Sequence, residues 1–434
     1  MPNENAPVIV THRSLSEAIG KAYSSTPDAV AEAVKAPDPA GFESDEPPAS
    51  EEEARQFEAE LERALKILAN EEKVSGVLAS PDDQFTSLLQ SLVAERAEKV
   101  KPAEGGDGLE AQFDEHDILG WAKSLFTWVK RLKPHKFQPP PTTVDALPDT
   151  LRVGILGDWG TGLYGAPVCA ASIQNDPKDY GLLLHLGDVY YSGTDSEITD
   201  RFLNLWPKKP GAVNRACNSN HEMYTGGRAY FKQTLAQFGQ SSSCFALQND
   251  HWLLVGLDSA YEEGRLSNGQ VEWLGGLLSN AGGRRVILFS HHQLYSWVEG
   301  PKPTMQGQLG ELLTDQKIFA WYWGHEHRCM LFDRHPAWGL HGRCVGHSGF
   351  PYWRDHFEEG KVVEQGPQDT AWRKVETKNA VPGGLLLEGP NVYVPGYTDK
   401  YGPQGYMTLE FDREHLNEVV HAPDGSIEYD RQLV

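Results

Sequence analysis

Hydrophobic and polar positions change rhythm once along the chain. In the first third, apolar residues recur at helical spacing. Phe57, Leu61, Leu65 and Leu68 stand among glutamates, and this predicts an amphipathic helix. A second helix is predicted to start at "SPDD". There Ser80 can cap, Pro81 suits the first turn, and Asp82 and Asp83 favour the positive helix end. Its apolar positions are Phe85, Leu88, Leu89, Leu92 and Val93. A third stripe, Ile118, Trp121, Leu125, Trp128 and Leu132, predicts a helix over about 114–132. Its tryptophans and basic end could suit a membrane surface, but a core-facing stripe is the commoner meaning of such a pattern.

From Leu151 the period changes. The runs "RVGIL", "GLLLHL", "HWLLVGL", "RRVILF" and "KIFAWYW" are strand-length and mostly unalternated, so both faces of each strand should be buried. Glycine-rich turns and helical stretches separate them, which points to a layered α/β domain. The tail, "GYMTLEFD" to "GSIEYDRQ", reads as strands closing a sheet around a Pro-Asp-Gly turn. Four segments follow. Residues 1–48 are acidic and partly disordered, 49–133 a helical accessory region, 134–149 a proline-rich linker, and 150–434 the α/β domain.

Composition narrows the class. The net charge of −22 argues against general binding to nucleic acid or an anionic membrane, because neutralising phosphates needs a basic surface. A small phosphorylated substrate stays open, since a bound metal inverts the local field. Five scattered cysteines without a CxxC pair argue against a disulfide scaffold or a thiolate zinc site and read as reduced thiols. No apolar leader follows Met1, and no run reaches the roughly 18 apolar residues of a membrane span. The expectation is a cytoplasmic protein, although a mature secreted form would look the same.

The chemistry sits where strands end. "ILGDWGTG" stops an apolar run at glycine and places Asp158 on the hinge. A turn residue, an anion loop and a metal ligand compete there. The anion loop loses, because no GxxxxGK[ST] follows. "GDVYY" then brings Asp188 and Tyr191, "NSNHE" brings Asn220 and His221, "SHH" brings His291 and His292, and "GHEH" brings His325 and His327. Strand ends of an open α/β sheet gather at one rim, where ligands bind. Buried carboxylates and imidazoles converging there need compensation, which metal ions supply. Two ions about 3.5–4 Å apart form the clamp for in-line phosphoryl displacement.

The ordered set GDxG, GDxxY, NHE, H and GHxH resembles the calcineurin-like metallophosphoesterase superfamily, and most resembles the purple acid phosphatases. The resemblance covers roughly residues 150–350. It implies a layered β-sandwich flanked by helices (α-β-β-α), with the N-terminal helical region outside it. It also implies that Asp158, Tyr191 and His327 hold one metal, that Asp188 bridges, and that Asn220, His291 and His325 hold the second. By the same resemblance Tyr191 marks an iron site beside a second iron, zinc or manganese. His221 is the acid for the leaving group, His292 contacts substrate, and a hydroxide held by the ions attacks a phosphomonoester. A manganese- or zinc-type phosphodiesterase on the same scaffold is the alternative. So is a partner-binding scaffold, with a protein docking through the N-terminal helices and the site crippled where Ser219 replaces the family glycine. His185 reads as a core histidine, Asp258 as a cap or turn residue, His347 as a support to the metal-facing imidazoles, and Glu326 and Arg328 as solvated.

Overall fold

Runs that lack alternation become strands whose two faces enter different cores. The computed structural model describes residues 83–97 and 133–434, apart from 353, 355–359 and 395–397, together with isolated positions between 52 and 67. The predicted helix over about 114–132 lies outside the described residues, as does most of the helix around Leu61. Helix α1 (Gln84–Ala97) belongs to a first unit, while His135–Met223 and Gly227–Val434 form a second. Within the first, Asp83 takes the cap that the sequence assigns to Ser80: its Oδ1 accepts from the Thr86 amide at 2.9 Å and the Thr86 hydroxyl at 2.6 Å.

The second unit holds two sheets. Its strands are β1 (Asp145–Ala146), β2 (Thr150–Leu156), β3 (Leu182–His185), β4 (Val213–Ala216), β5 (Phe245–Gln248), β6 (Trp252–Gly256), β7 (Arg285–Phe289) and β8 (Ile318–Trp323). These are followed by β9 (Cys329–Phe332), β10 (His341–Val345), β11 (Lys361–Gln365), β12 (Ala371–Val375), β13 (Gly384–Glu388), β14 (Tyr406–Asp412), β15 (His415–His421) and β16 (Ile427–Gln432). The order in the first sheet is β1-β5-β6-β7-β8-β10-β9-β13-β12-β11, and in the second β16-β15-β14-β2-β3-β4. The C-terminal strands therefore do close a sheet, adding antiparallel to β2, with Pro423–Gly425 at the β15–β16 turn. The antiparallel part of the first sheet, β9 with β11 to β13, was not read from the sequence.

Strand β6 shows how burial on both faces works. Trp252 and Leu254 enter a core shared by both sheets, with Val153 and Ile155 of β2, Leu184 of β3 and Met407 of β14. Leu253 and Val255 enter a second core beneath α3 (Gln270–Ser279) and α4 (Pro303–Thr314), through Leu274, Leu278, Leu309 and Leu313. A third core lies under α2 (Gly165–Asn175) on the outer face of the second sheet, with Leu156, Leu183, Ala166 and Ile173. These layers are helix, sheet, sheet, helix. A buried polar tie crosses between the sheets: Arg343 Nε of β10 donates to both Glu418 oxygens of β15 at 2.9 and 3.0 Å, and Tyr322 of β8 donates to the same carboxylate.

The stretch predicted as a linker runs along the second unit. The Tyr261 hydroxyl donates to the His135 carbonyl, Ser242 to that of Gln138, and the Trp273 indole to that of Pro141. Residues Asp145 and Ala146 then pair with β5.

Candidate metal centre

Strands β2, β3 and β4 are mutually parallel, as are β6, β7 and β8, so the segments that follow each trio gather at one rim. Asp158 follows β2, Asp188 follows β3, and Asn220 with His221 follows β4. His291 and His292 follow β7, and His325 and His327 follow β8. Asp158, Asp188, His325 and His327 all take positive φ, at 53°, 72°, 72° and 50°. Such backbone costs non-glycine residues on the order of 1–3 kcal/mol each and persists where the surroundings over-determine it. Four strained donors in one group mark a functional site rather than four chance turns.

Asp158 is fully buried and clamped. Its Oδ1 accepts from the His325 amide at 2.8 Å, and its Oδ2 from the His327 amide at 3.1 Å. Gly324 and Gly346 leave room for it: an ideal Cβ would sit 2.7 Å from Oδ1 at Gly324 and 2.1 Å from Oδ2 at Gly346. Burial, then the Asp188 charge, pushes the Asp158 carboxyl well above its ordinary range.

Tautomers show what the centre lacks. His291 Nδ1 lies 2.9 Å from the Leu186 carbonyl, which can only accept, so Nδ1 carries the proton. Burial holds the ring down to about 4, despite the raising effect of Asp188, so the imidazole is neutral and its Nε2 is bare. That nitrogen faces Asn220 Oδ1 at 2.9 Å and Asp188 Oδ1 at 3.2 Å, two atoms that cannot donate. Asp188 Oδ1 is buried without a hydrogen-bond partner, and so is His292 Nε2. Ligand atoms of Asp158, Asp188 and His291 lie within 4.8 Å of one another, as do those of His291, His292 and His325. Cations would compensate buried carboxylates and imidazoles converging in this way, and the mix of carboxylate, amide oxygen and imidazole suits divalent transition metals. The residues present fit such ions.

The structure repositions several expected residues. The Tyr190 phenol lies at the His327 edge: its hydroxyl is 2.8 Å from His327 Nε2 and 3.4 Å from Asp188 Oδ2. The Tyr191 amide is held by Glu197 Oε1 at 2.6 Å and its carbonyl by His221 Nδ1 at 2.6 Å, and its ring centroid lies 6.0 Å from the Arg201 guanidinium. His292, expected on the substrate side, is fully buried; its Nδ1 lies 3.1 Å from Ser259 Oγ, and its ring centroid is 4.6 Å from that of His325. His221 packs against the Tyr190 ring at 3.9 Å, and Phe350 stacks on the other side of that ring at 4.2 Å.

Ser219 is not among the described residues with positive φ, so the missing glycine leaves no strain there. Its hydroxyl donates to Glu222, and Gly187, whose Cβ would meet that of Ser219 at 2.7 Å, leaves it space. Burial, then the charge of Asp188, pushes Glu222 up to about 8.

Glu326 and Arg328 are buried rather than solvated. Glu326 accepts from Ser296, and the Arg328 guanidinium stacks over Tyr352 at 4.2 Å. Asp258 does serve a turn, accepting from the Ala260 and Tyr261 amides at 3.0 and 2.8 Å. His185 packs among Trp159, Phe202 and Trp206, as a core histidine should. His347 is fully buried but neither ring nitrogen meets a hydrogen-bond partner, so it holds none of the metal-facing imidazoles. Sequence reasoning missed Glu299. Its Oε2 lies 3.0 Å from His325 Nε2, and no spacing signal distinguishes it from an ordinary loop carboxylate.

Residues 151–329 match the family model for calcineurin-like phosphoesterases. A search of curated proteins gave no match. Solved structures similar to the chain include a purple acid phosphatase from yellow lupin (Lupinus luteus) seeds. It shows 15% identity over 66% of this chain and 54% of that one, with a TM-score of 0.46, so the chain spans about half that protein's length. GAP50, the anchor in the inner membrane complex of Plasmodium, shows 12% identity over 66% and 89% of the two chains, with a TM-score of 0.45. A dimetal phosphatase from Danio rerio shows 11% over 66% and 99%, with a TM-score of 0.41. No helix among the described residues is long and apolar enough to cross a membrane.

Proposed function

We propose that the protein hydrolyses phosphomonoesters at a two-metal centre of purple acid phosphatase type. The observation that carries this reading is His291 Nε2 facing Asp188 Oδ1 and Asn220 Oδ1, a convergence of ligand atoms that a cation between them would satisfy. Asp158, Asp188 and His327, with the Tyr190 phenol beside them, would hold one ion. Asn220, His291 and His325 would hold the other, with His292 adjoining, and Asp188 would bridge. Such ions, when bound, supply Lewis-acid stabilisation of the phosphoryl oxygens and a nucleophile at neutral pH. Iron on the phenol side, with iron, zinc or manganese opposite, is the pair we favour.

The chain's own groups do the rest. His221 is fixed by the Tyr191 carbonyl through Nδ1 and by the Tyr190 ring, so its orientation is set before substrate arrives. It hands a proton to the leaving oxygen from that position. Tyr190 and Phe350 wall the site beside His327. The unstrained Ser219 backbone supports an intact site over a crippled one.

The test reconstitutes metal-free protein with iron, zinc and manganese in turn, then compares p-nitrophenyl phosphate with bis-p-nitrophenyl phosphate. Faster turnover of the monoester is expected. A preference for the diester would assign a phosphodiesterase, and no turnover with two ions bound would refute the enzymatic reading.

A further inference from the structure

Each metal-facing imidazole needs a partner for its other nitrogen, because that partner decides which nitrogen points inward. His291 uses a backbone carbonyl on Nδ1 and so presents Nε2. His292 uses Ser259 Oγ on Nδ1 and so also presents Nε2. His325 is reversed: Nε2 makes an ion-pair contact with Glu299 Oε2 at 3.0 Å and has no better-aligned partner, while Nδ1 lies 3.3 Å from His291 Nε2 and faces the centre. Its orienting group is a carboxylate on the loop between β7 and α4, and its side chain is 38% exposed, whereas the imidazole it holds is buried.

That loop is itself held from below. The Glu299 amide donates to Glu326 Oε1 at 3.3 Å, and Ser296 Oγ donates to the same oxygen. The Val298 amide donates to Ser296 Oγ at 2.9 Å. Gln293 Nε2 donates to Glu299 Oε2 at 3.2 Å, and Lys302 Nζ stands 4.0 Å away. Glu326, interleaved between His325 and His327, therefore turns inward and fastens the segment that carries Glu299.

We propose that Glu299 is a positioning residue that selects Nδ1 of His325 as the metal-facing nitrogen, with Glu326 fixing the loop from which it acts. This rests on the two-metal reading above. Without the carboxylate, the His325 ring can rotate about its χ2 torsion and present either nitrogen. Partners of this kind are typically worth about 10- to 100-fold in metal affinity.

The experiment measures metal binding rather than turnover. Metal-free full-length wild type, Glu299→Ala, Glu299→Gln and Lys302→Ala are titrated with zinc against a chromogenic chelator, and thermal melts are recorded without metal. Wild type should take two zinc ions. Glu299→Ala should melt somewhat lower than wild type without metal, because it loses the His325 ion pair, yet remain folded, bind one ion normally, and bind the other about 10- to 100-fold more weakly. Glu299→Gln retains an acceptor oxygen and should recover part of that loss, while Lys302→Ala should bind both ions as wild type does. Glu299→Ala or Glu299→Gln with two sites of wild-type affinity would overturn the role of Glu299 and leave the metal centre standing. Wild type that takes up no zinc would overturn the metal centre itself, and this inference with it.

Discussion

Gly346→Ala is a small change that should disable the centre without touching a ligand. Gly346 does not take positive φ, so alanine there brings no backbone strain. What it brings is a methyl group 2.1 Å from Asp158 Oδ2 and 3.0 Å from the His327 amide nitrogen. Contacts below 3.0 Å essentially never occur, so the carboxylate oxygen must retreat by about 0.9 Å. It cannot do so and keep its 3.1 Å bond from the His327 amide. Loss of a hydrogen bond to a charged group costs about 1.5–3 kcal/mol, and each kcal/mol lowers Tm by about 2–4 °C in a protein of this order of size. A displacement near 1 Å at a reacting centre costs roughly 10²-fold in rate. The assay is kcat/KM on p-nitrophenyl phosphate, with metal content by elemental analysis and a thermal melt. The control is Gly276→Ala within α3, where a new Cβ meets nothing within 4 Å and the helix gains about 1 kcal/mol. Wild-type metal content and wild-type rate in Gly346→Ala would show that Asp158 is not held in place by this gap.

His221→Ala should keep both ions and lose on the order of 10²–10⁴ in kcat; loss of metal by elemental analysis would make His221 a ligand instead. With iron supplied, a visible phenolate-to-iron band should vanish in Tyr190→Phe and persist in Tyr191→Phe, and the opposite result would restore the sequence-based expectation. The Glu222 carboxyl is raised to about 8 by burial first and then by Asp188, against about 4.3 when unfolded. Its contribution to the stability of metal-free protein is therefore complete below about pH 4.3 and is lost as pH rises toward 8. Glu222→Gln should gain stability relative to wild type across that window in urea melts, and a pH-independent difference would refute the assignment.

The strand runs were legible in the sequence because a strand covered on both faces loses its alternation, and the residues after each run announced the rim. Much else depended on how loops close. Tyr190 and Tyr191 are adjacent, and spacing cannot tell which ring turns inward once Glu197 and His221 have seized the Tyr191 backbone. Glu326 and Arg328 looked solvated because charge usually is, yet one carboxylate fastens a loop and one guanidinium lies on a tyrosine. Ser219 looked like a defect because the φ of its neighbours is not written in the sequence. Glu299 was invisible, since only the folded loop brings it to His325.

The two sheets divide the donors by element. Asp158, Asp188 and Asn220, which bring oxygen, follow strands of the second sheet; His291, His292, His325 and His327, which bring nitrogen, follow strands of the first. The centre lies along a seam, and an ion seated in it would act as a rivet between two halves of the sandwich. The Arg343–Glu418–Tyr322 tie is a permanent stitch along the same seam. Slippage between the sheets would separate oxygen from nitrogen, so the register that the stitch enforces is also the tolerance to which the metal site is built.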